Sequence, residues 1–224
     1  MSPPRLTCCK QWITWGVKKI VFSSSATVYG QPEYLPYDEA HTIEPVSPNG
    51  CSKRMSEQIL QDWTGANKTA SAICLRYFNP AGAHPSGQIG EDPKGTPNNL
   101  LPYLAQVASG RHPLLTIFRN TYPTRDGTGE RDYIHVMDVA QAHLAALERS
   151  KSTSGFLALN IGTGHSVTVR ELVAAFSKIT GRPIATTVAP RRVGDLACFY
   201  ANPKLAQTTL GWTAHHGLSA ICAD

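Results

Sequence analysis

The sequence predicts an α/β fold, because segments with strand-like and helix-like hydrophobic patterns alternate along the whole chain. Two short, apolar and β-branched segments at 18–25 and 70–77 flank a helical pattern, which is the order of a strand–helix–strand unit. The chain has 224 residues, which suits one large domain or two small ones.

The helix of this first unit has clear local signals. Pro48 fits the first helical position, and Ser47 fits the N-cap before it. Four apolar residues recur at helical spacing, at Met55, Ile59, Leu60 and Trp63. The sequence therefore predicts that the helix begins at residue 48 and buries this stripe.

Later elements follow the same alternation. A helix at 138–149, burying Val139, His143, Ala146 and Leu147, leads to a strand at 156–161. Another helix begins at a capping box, Thr168 to Glu171, and ends at Gly181. Between the strand at 70–77 and the helix at 138–149, residues 79–131 are rich in Gly, Pro and Asn. This composition predicts long loops around a short helix at 98–108.

Composition argues against several classes of protein. The formal net charge of +5 comes from scattered residues, so we expect no nucleic acid partner. No apolar run approaches the length of a membrane span and no signal peptide is visible, which indicates a cytoplasmic protein without a membrane partner. The 6 cysteines and 8 histidines show no zinc-binding spacing, so we expect reduced thiols and no metal.

Polar residues at the end of the first strand are the first candidates for chemistry. Hydroxyl side chains at 23–27 follow a strand of the predicted parallel sheet, and open α/β sheets bind ligands at that edge. Asn49 and Lys53 lie one turn apart on the next helix. The alternatives are a Ser/Thr turn and a solvated lysine. Gly162-Thr163-Gly164 lacks the third glycine of a dinucleotide motif and is typical of a tight turn.

Several long motifs carry a family resemblance. They are SSSATVYG at 23–30, SPNGCSK at 47–53, LRYFNPAGAHPSG at 75–87, GEDPKGTPNNLLPY at 90–103, TYPTRDGTGERDYIHVMDVA at 121–140 and APRRVGDL at 189–196. Together they resemble the UDP-glucose 4-epimerases of the extended short-chain dehydrogenase/reductase family, over about residues 16–212. Related enzymes that dehydrate or decarboxylate usually carry an acid where this chain has Ala26, which favours the epimerases.

The resemblance implies a partial NAD-binding Rossmann-type parallel sheet plus a smaller α/β substrate-binding domain. Residues 1–80, rejoined by 133–164, would form the NAD-binding remnant, and residues 81–132 and 165–224 the UDP-sugar-binding domain. In the family, NAD removes a hydride from C4 of UDP-glucose or UDP-galactose and returns it to the other face. A tyrosine acts as the base, and a nearby lysine lowers its pKa. The family also forms homodimers.

Matched residue by residue, the resemblance assigns roles to particular side chains. The catalytic positions are Ser25, Lys53 and Asn49, the last at the position of the family tyrosine. The cofactor-binding positions are Ser23, Ser25, Lys53, Tyr77 and Phe78. The substrate-binding positions are Asn79, Asn98, Asn99, Leu100, Phe118, Arg131, Tyr133, Arg192, Asp195 and Phe199. The bulky ring of Phe199, at the position that gates the sugar 2-substituent, favours UDP-glucose and UDP-galactose over N-acetyl sugars.

The chain departs from the family pattern in three places. Asn49 replaces the base, and an amide cannot accept a proton near neutral pH, so we expect catalysis to be impaired. The Gly-rich first strands of the family have no counterpart before Gly16, so most of the NAD site is expected to be missing, and the family's final helix also has no counterpart. A non-catalytic UDP-sugar-binding protein and a fragment without function are the alternatives to an impaired epimerase.

Overall fold

The computed structural model describes residues 11–12, 14–192 and 194–224. Its strands are β1 (Lys19–Ser25), β2 (Ser71–Tyr77), β3 (Asn79–Ala81), β4 (Leu115–Phe118), β5 (Glu130–Arg131), β6 (Tyr133–His135), β7 (Gly155–Ile161), β8 (Val167–Thr168), β9 (Thr186–Ala189) and β10 (Cys198–Phe199). Its helices are α1 (Pro48–Ala66), α2 (Leu100–Ala108), α3 (Val136–Lys151), α4 (Val169–Thr180), α5 (Lys204–Leu210) and α6 (Leu218–Ala223). The predicted α/β class is confirmed. Within these ranges, no helix is both long and apolar enough to cross a membrane.

A parallel sheet with the order β1-β2-β7 forms the centre of the first half. The middle strand is buried on both faces. Its Ala72 and Cys74 pack with residues of α1, whereas Ile73 and Leu75 pack with residues of α3. Helices on both faces of a parallel sheet make this a doubly wound arrangement, in which strands end at one common edge.

The first helix begins where the sequence predicts. Ser47 caps it by accepting a hydrogen bond from the Gly50 amide at 3.1 Å, with Pro48 in the first turn. Leu60 and Trp63 are buried against the sheet, but Met55 is 62% exposed, so its place in the predicted stripe is wrong. The apolar contact with β2 is made further along the helix, where it runs beside the strands.

The helix α3 is longer than predicted. It begins two residues earlier because the His135 side chain caps it, accepting a hydrogen bond from the Met137 amide at 3.1 Å. Its buried stripe consists of Val139, Ala142 and Ala146. Leu147 was expected in that stripe but is 51% exposed, since it lies one residue beyond Ala146 and turns away from the sheet.

The second half packs several helices against short strands. As predicted, α4 begins at the capping box of Thr168 and ends at the left-handed Gly181. Leu172 and Phe176 of this helix pack with Leu104 of α2. The prediction of mainly loops over 79–131 is wrong in part, because β3, β4 and β5 lie there. These strands have two to four residues and pair with β6, β9, β8 and β10, which are distant in sequence.

Asp132 joins the two halves. Its fully buried carboxylate accepts hydrogen bonds from the amides of Thr163 at 2.9 Å, Gly164 at 3.0 Å and Ala201 at 3.1 Å, and from the Thr163 hydroxyl. Burial raises the pKa of Asp132, although these hydrogen bonds act to lower it. The Gly-Thr-Gly segment is therefore a tight turn around a carboxylate, as its spacing indicated.

A buried polar network fixes the end of β1. Arg76 on β2 donates two hydrogen bonds to Glu57 of α1, at 3.0 and 2.7 Å, and one to the Tyr29 hydroxyl at 2.9 Å. The Ser24 hydroxyl donates to the same Glu57 carboxylate. Tyr29 in turn donates to Asn160 at 2.6 Å, which ties the network to β7.

Candidate functional site

Two neighbouring cavities lie at the junction of the halves. The Phe118 cavity has a volume of about 170 Å³ and is lined by Asn79, Asn98, Asn99, Leu100, Tyr103, Thr116, Ile117, Phe118, Tyr122, Gly129, Arg131, Tyr133, Val169, Arg192 and Asp195. The Phe199 cavity has a volume of about 210 Å³ and is lined by Thr27, Gly30, Val46, Ser47, Phe78, Asn79, Arg131, Gly194, Asp195, Leu196 and Phe199. Because Asn79, Arg131 and Asp195 line both, the two cavities are contiguous.

Backbone pairing places the shared residues. Asn79 begins β3, with only Phe78 between it and the central strand β2, and its amide donates to the carbonyl of Asp132 at 3.0 Å. Arg131 and Tyr133 flank Asp132 in sequence and line the Phe118 cavity. The hydrogen bonds of the Asp132 carboxylate therefore also help to fix these two residues. Tyr133 is buried, and burial raises its pKa to about 12, so its phenol is neutral.

Guanidinium groups and an aromatic ring face the Phe118 cavity. The Arg192 guanidinium lies 3.6 Å from the centre of the Phe118 ring. Arg131 is ion-paired with Asp195 at 3.3 Å and is only 20% exposed. A flat apolar ring beside two planar cations is suited to a ligand that carries both a planar base and phosphate groups.

Amides at the start of α2 add polar groups to this cavity. Asn99 occupies the N-cap position, but its side chain makes no capping hydrogen bond. Asn98 and Leu100 lie beside it on the cavity wall. The Oδ1 atom of Asn79 is buried without a hydrogen-bond partner in the structure. A ligand with hydroxyl or amide groups would satisfy such atoms.

A second cluster of polar groups lies at the carboxyl ends of β1 and β2. The Lys53 ammonium donates to the Ser23 carbonyl at 2.7 Å. His143 Nδ1 lies 2.9 Å from the Val139 carbonyl and therefore carries the proton, which leaves Nε2 as an acceptor. Tyr77 donates to that Nε2 at 2.6 Å, and the Ser23 hydroxyl lies 3.2 Å from it. The Ser25 hydroxyl accepts hydrogen bonds from the amide and hydroxyl of Thr27.

The position at which the resemblance placed the general base holds an amide instead. Asn49 is exposed in the first turn of α1 and carries an amide. Burial raises the pKa of Tyr77, so its phenol keeps its proton at neutral pH and does not replace the missing tyrosine. Among the residues that the structure describes, no group of three or more His, Cys, Asp or Glu side chains could hold a metal ion.

Comparison with known proteins identifies the family. A model described as "NAD dependent epimerase/dehydratase family" matches residues 6–162. The chain belongs to this family. It is 55% identical to the UDP-glucose 4-epimerase of Homo sapiens over 210 residues, and this aligned region covers 93% of this chain and 60% of the human protein. It is 52% identical over 216 residues to the enzyme of Bacillus subtilis, covering 96% of this chain and 64% of that protein.

Solved structures of epimerases share the fold. The UDP-glucose-4-epimerase from Stenotrophomonas maltophila, with bound NAD and formylated UDP-arabinopyranose, matches with a TM-score of 0.94 and 45% identity over 96% of this chain and 64% of that one. The enzyme from Bifidobacterium longum, in complex with NAD+ and UDP, matches with a TM-score of 0.92 and 44% identity over 98% of this chain and 65% of that one. The chain thus spans less than two thirds of the length of these relatives.

The residues that the family resemblance assigned lie in two places in the structure, the cavities and the strand ends. All the residues expected to bind substrate line one or both cavities. At the strand ends, Ser23 and Tyr77 contact His143, and Lys53 donates to the Ser23 carbonyl. The Phe78 ring, which the resemblance assigned to the cofactor, lines the Phe199 cavity, with its centre 5.0 Å from that of the Phe199 ring.

The chain offers different groups to the two ends of the NAD molecule. Ser23, Ser25, Lys53 and Tyr77 offer hydroxyl and ammonium groups for a nicotinamide riboside. The Gly162-Thr163-Gly164 turn offers no cradle for the cofactor's diphosphate, because Asp132 accepts from its amides. The residues at the ends of β1 and β2 therefore fit the nicotinamide end, and this turn does not serve the diphosphate.

Sequence reasoning missed two residues of this site and one that contacts it. His143 was interpreted as a packed helix residue, yet it links Tyr77 and Ser23. Tyr122 lines the Phe118 cavity, and its hydroxyl is buried without a partner. Arg119, whose guanidinium lies 4.8 Å from the centre of the Tyr122 ring, has a φ of 67°. A left-handed conformation at a residue with a long side chain costs roughly 1–3 kcal/mol and is not visible in a sequence.

Proposed function

We propose that this chain binds UDP-glucose and UDP-galactose in the two joined cavities. The uridine diphosphate would occupy the Phe118 cavity and the hexose the Phe199 cavity. The observation that carries this proposal is that Asn79, Arg131 and Asp195 line both cavities, so that one ligand can contact an aromatic ring, two guanidinium groups and a second, ring-lined space. Family membership supports the same ligand class.

The reaction proposed for this site is the interconversion of the two UDP-hexoses by epimerisation at C4. When bound, NAD would accept the hydride from C4 and return it to the opposite face. The Ser25 hydroxyl would hydrogen-bond the reacting sugar oxygen, and the Lys53 ammonium would raise the positive charge near the nicotinamide. In this division, residues 1–80 and 133–164 serve the cofactor, and residues 81–132 and 165–224 serve the nucleotide-sugar.

Asn49 limits the rate in this proposal. The sugar hydroxyl must lose its proton as the hydride leaves, and an amide has no basic lone pair to accept it. Loss of a positioned general base lowers the rate by about 10²- to 10⁴-fold. A non-catalytic UDP-sugar-binding role is the second candidate function. An amide at the position of the base, in a chain that keeps the full set of cavity residues, favours it.

Binding and turnover are tested separately. Isothermal titration of UDP, UDP-glucose and UDP-galactose into the purified chain measures binding. We expect binding by the wild type and a loss of roughly 10- to 100-fold in the Arg131→Ala variant, since charge-assisted hydrogen bonds to phosphate are among the strong ones. Arg149→Ala, on the exposed last turn of α3, removes the same charge elsewhere and should bind as the wild type does.

Turnover of UDP-galactose is measured with and without added NAD. A rate at least 10²-fold below ordinary enzyme rates fits an epimerase without its base. Binding with no turnover at all would favour the non-catalytic role. Failure of the wild type to bind any of the three nucleotides would contradict both functions.

The preference for the sugar is also part of the proposal. Phe199 is 7% exposed and packs against Phe78 and against Tyr37, with ring centres 5.0 and 4.9 Å apart. A ring held this firmly leaves little room for a bulky 2-substituent. We therefore propose that N-acetyl sugars bind more weakly than glucose or galactose. A homodimer and a cytoplasmic location, both expected from the sequence, belong to the same proposal.

A further inference from the structure

Two energetically unfavourable features lie side by side at the edge of the Phe118 cavity. Within the described residues, Arg119 is the non-glycine residue with a positive φ, at 67°. Tyr122 is 7% exposed, and its hydroxyl is one of the buried atoms that have no hydrogen-bond partner. Strain and unsatisfied polar groups in a well-packed protein tend to occur at ligand sites.

The two features are in direct contact. The Arg119 guanidinium lies 4.8 Å from the centre of the Tyr122 ring, and that of Arg191 lies 5.8 Å from it. Arg119 Nε also donates to the Thr121 hydroxyl at 3.1 Å, which anchors the side chain. A cation over an aromatic face holds the ring in place, so the strained arginine fixes the orientation of the phenol.

The backbone of this loop is equally constrained. The Tyr122 amide donates to the Gly127 carbonyl at 2.8 Å. Gly127 has a φ of 82°, and a Cβ there would lie 2.1 Å from the Asn120 carbonyl oxygen, so the loop closes tightly around a glycine. Arg119 is anchored at the other end through its amide, which donates to Ala189 at 2.8 Å. The Tyr122 hydroxyl therefore has little freedom to find another partner.

We propose that the Tyr122 hydroxyl binds the nucleoside part of the ligand and that Arg119 is the residue that positions it. This inference rests on the proposed function. The phosphates are matched by Arg131 and Arg192, whereas a neutral hydroxyl beside Phe118 complements a base carbonyl or a ribose hydroxyl. Neither Arg119 nor Tyr122 needs to contact phosphate in this arrangement.

The test is a double-mutant cycle on nucleotide binding. Tyr122→Phe removes only the hydroxyl, and we expect UDP and uridine monophosphate to bind about 3- to 10-fold more weakly, with inorganic pyrophosphate unchanged. Arg119→Gly should weaken UDP binding to a similar degree, and the double variant should lose no more than either single variant. The salt dependence of UDP binding should not change in Arg119→Gly, because no phosphate contact is lost.

Stability measurements separate this role from a purely structural one. Tyr122→Phe removes an unpaired hydroxyl and Arg119→Gly relieves a strained backbone, so neither variant should melt below the wild type without ligand. Tyr34→Phe, at a partly exposed tyrosine far from the cavity in sequence, controls for loss of a phenol hydroxyl and should bind UDP normally. UDP affinity that is unchanged in Tyr122→Phe would overturn this inference alone. Absence of UDP binding by the wild type would overturn the proposed function with it.

Discussion

Replacing Glu57 by Gln leaves a buried guanidinium without its ionic partner. The side chains of Arg76 and Glu57 are only 3% and 5% exposed, and two hydrogen bonds of 3.0 and 2.7 Å join them. Breaking such a pair from one side typically costs about 3–5 kcal/mol, because the remaining charge stays buried. For a chain of this size that corresponds to a decrease in Tm of roughly 6–20 °C.

Urea-induced unfolding, followed by circular dichroism, measures this loss. The matched control is Glu148→Gln, which breaks the surface pair with Lys151, where the side chains are 74% and 65% exposed. We expect the control to change the free energy of unfolding by about 0–1 kcal/mol. Replacing Glu57 and Arg76 together by Met should cost less than Glu57→Gln alone, since no unpaired charge remains. A Glu57→Gln variant as stable as the control would refute the assignment of a buried ionic network beneath Ser24.

Three further predictions concern pH, packing and specificity. Burial raises the pKa of Glu39, so the folded chain binds this proton more tightly than the unfolded chain and loses stability as pH rises through the folded pKa. In thermal melts between about pH 4 and pH 7, the Tm of Glu39→Gln should therefore rise relative to that of the wild type as pH rises. A Tm difference that stays constant over this range would contradict the prediction. A Cβ on Gly162 would lie 2.6 Å from the Asp132 carboxylate, so Gly162→Ala should lose roughly 1–3 kcal/mol in urea unfolding, whereas Gly65→Ala in α1, with open space around it, should be neutral or stabilising. In titration calorimetry, Phe199→Leu should reduce the difference between the affinities for UDP-glucose and UDP-N-acetylglucosamine. Tighter binding of the N-acetyl sugar by the wild type would refute the role of Phe199 in excluding a bulky 2-substituent.

The parts of the fold that local chemistry specifies were predicted well from the sequence. The capping box at Thr168 and the glycine at Gly181 bound α4, and the Ser47-Pro48 pair begins α1, because each signal acts within one turn. The strands β3, β4 and β5 were missed because they are two to four residues long and are stabilised by partners far along the chain. Met55 and Leu147 show the same limit, since their exposure depends on where the sheet ends.

For the site, motifs gave the residue types but not all of their contacts. Arg131, Asp195 and Phe118 could be assigned by resemblance, and they line one cavity. The pairing of His143 with Tyr77 depends on how α3 crosses the sheet, and the backbone conformation of Arg119 depends on the closure of its loop. Neither follows from spacing, because both arise from tertiary packing.

Thermal unfolding of the purified chain with and without saturating UDP-glucose shows directly whether the two cavities bind a UDP-sugar. A ligand that binds only the folded state at 100 times its Kd adds about 2.7 kcal/mol, which for a chain of this size is a rise in Tm of roughly 5–11 °C. We expect a single cooperative transition that shifts upward with UDP-glucose in the wild type and shifts much less in Arg131→Ala. A cooperative transition whose Tm does not change with UDP-glucose, or the absence of any transition, would contradict the assignment of the two cavities to a UDP-sugar.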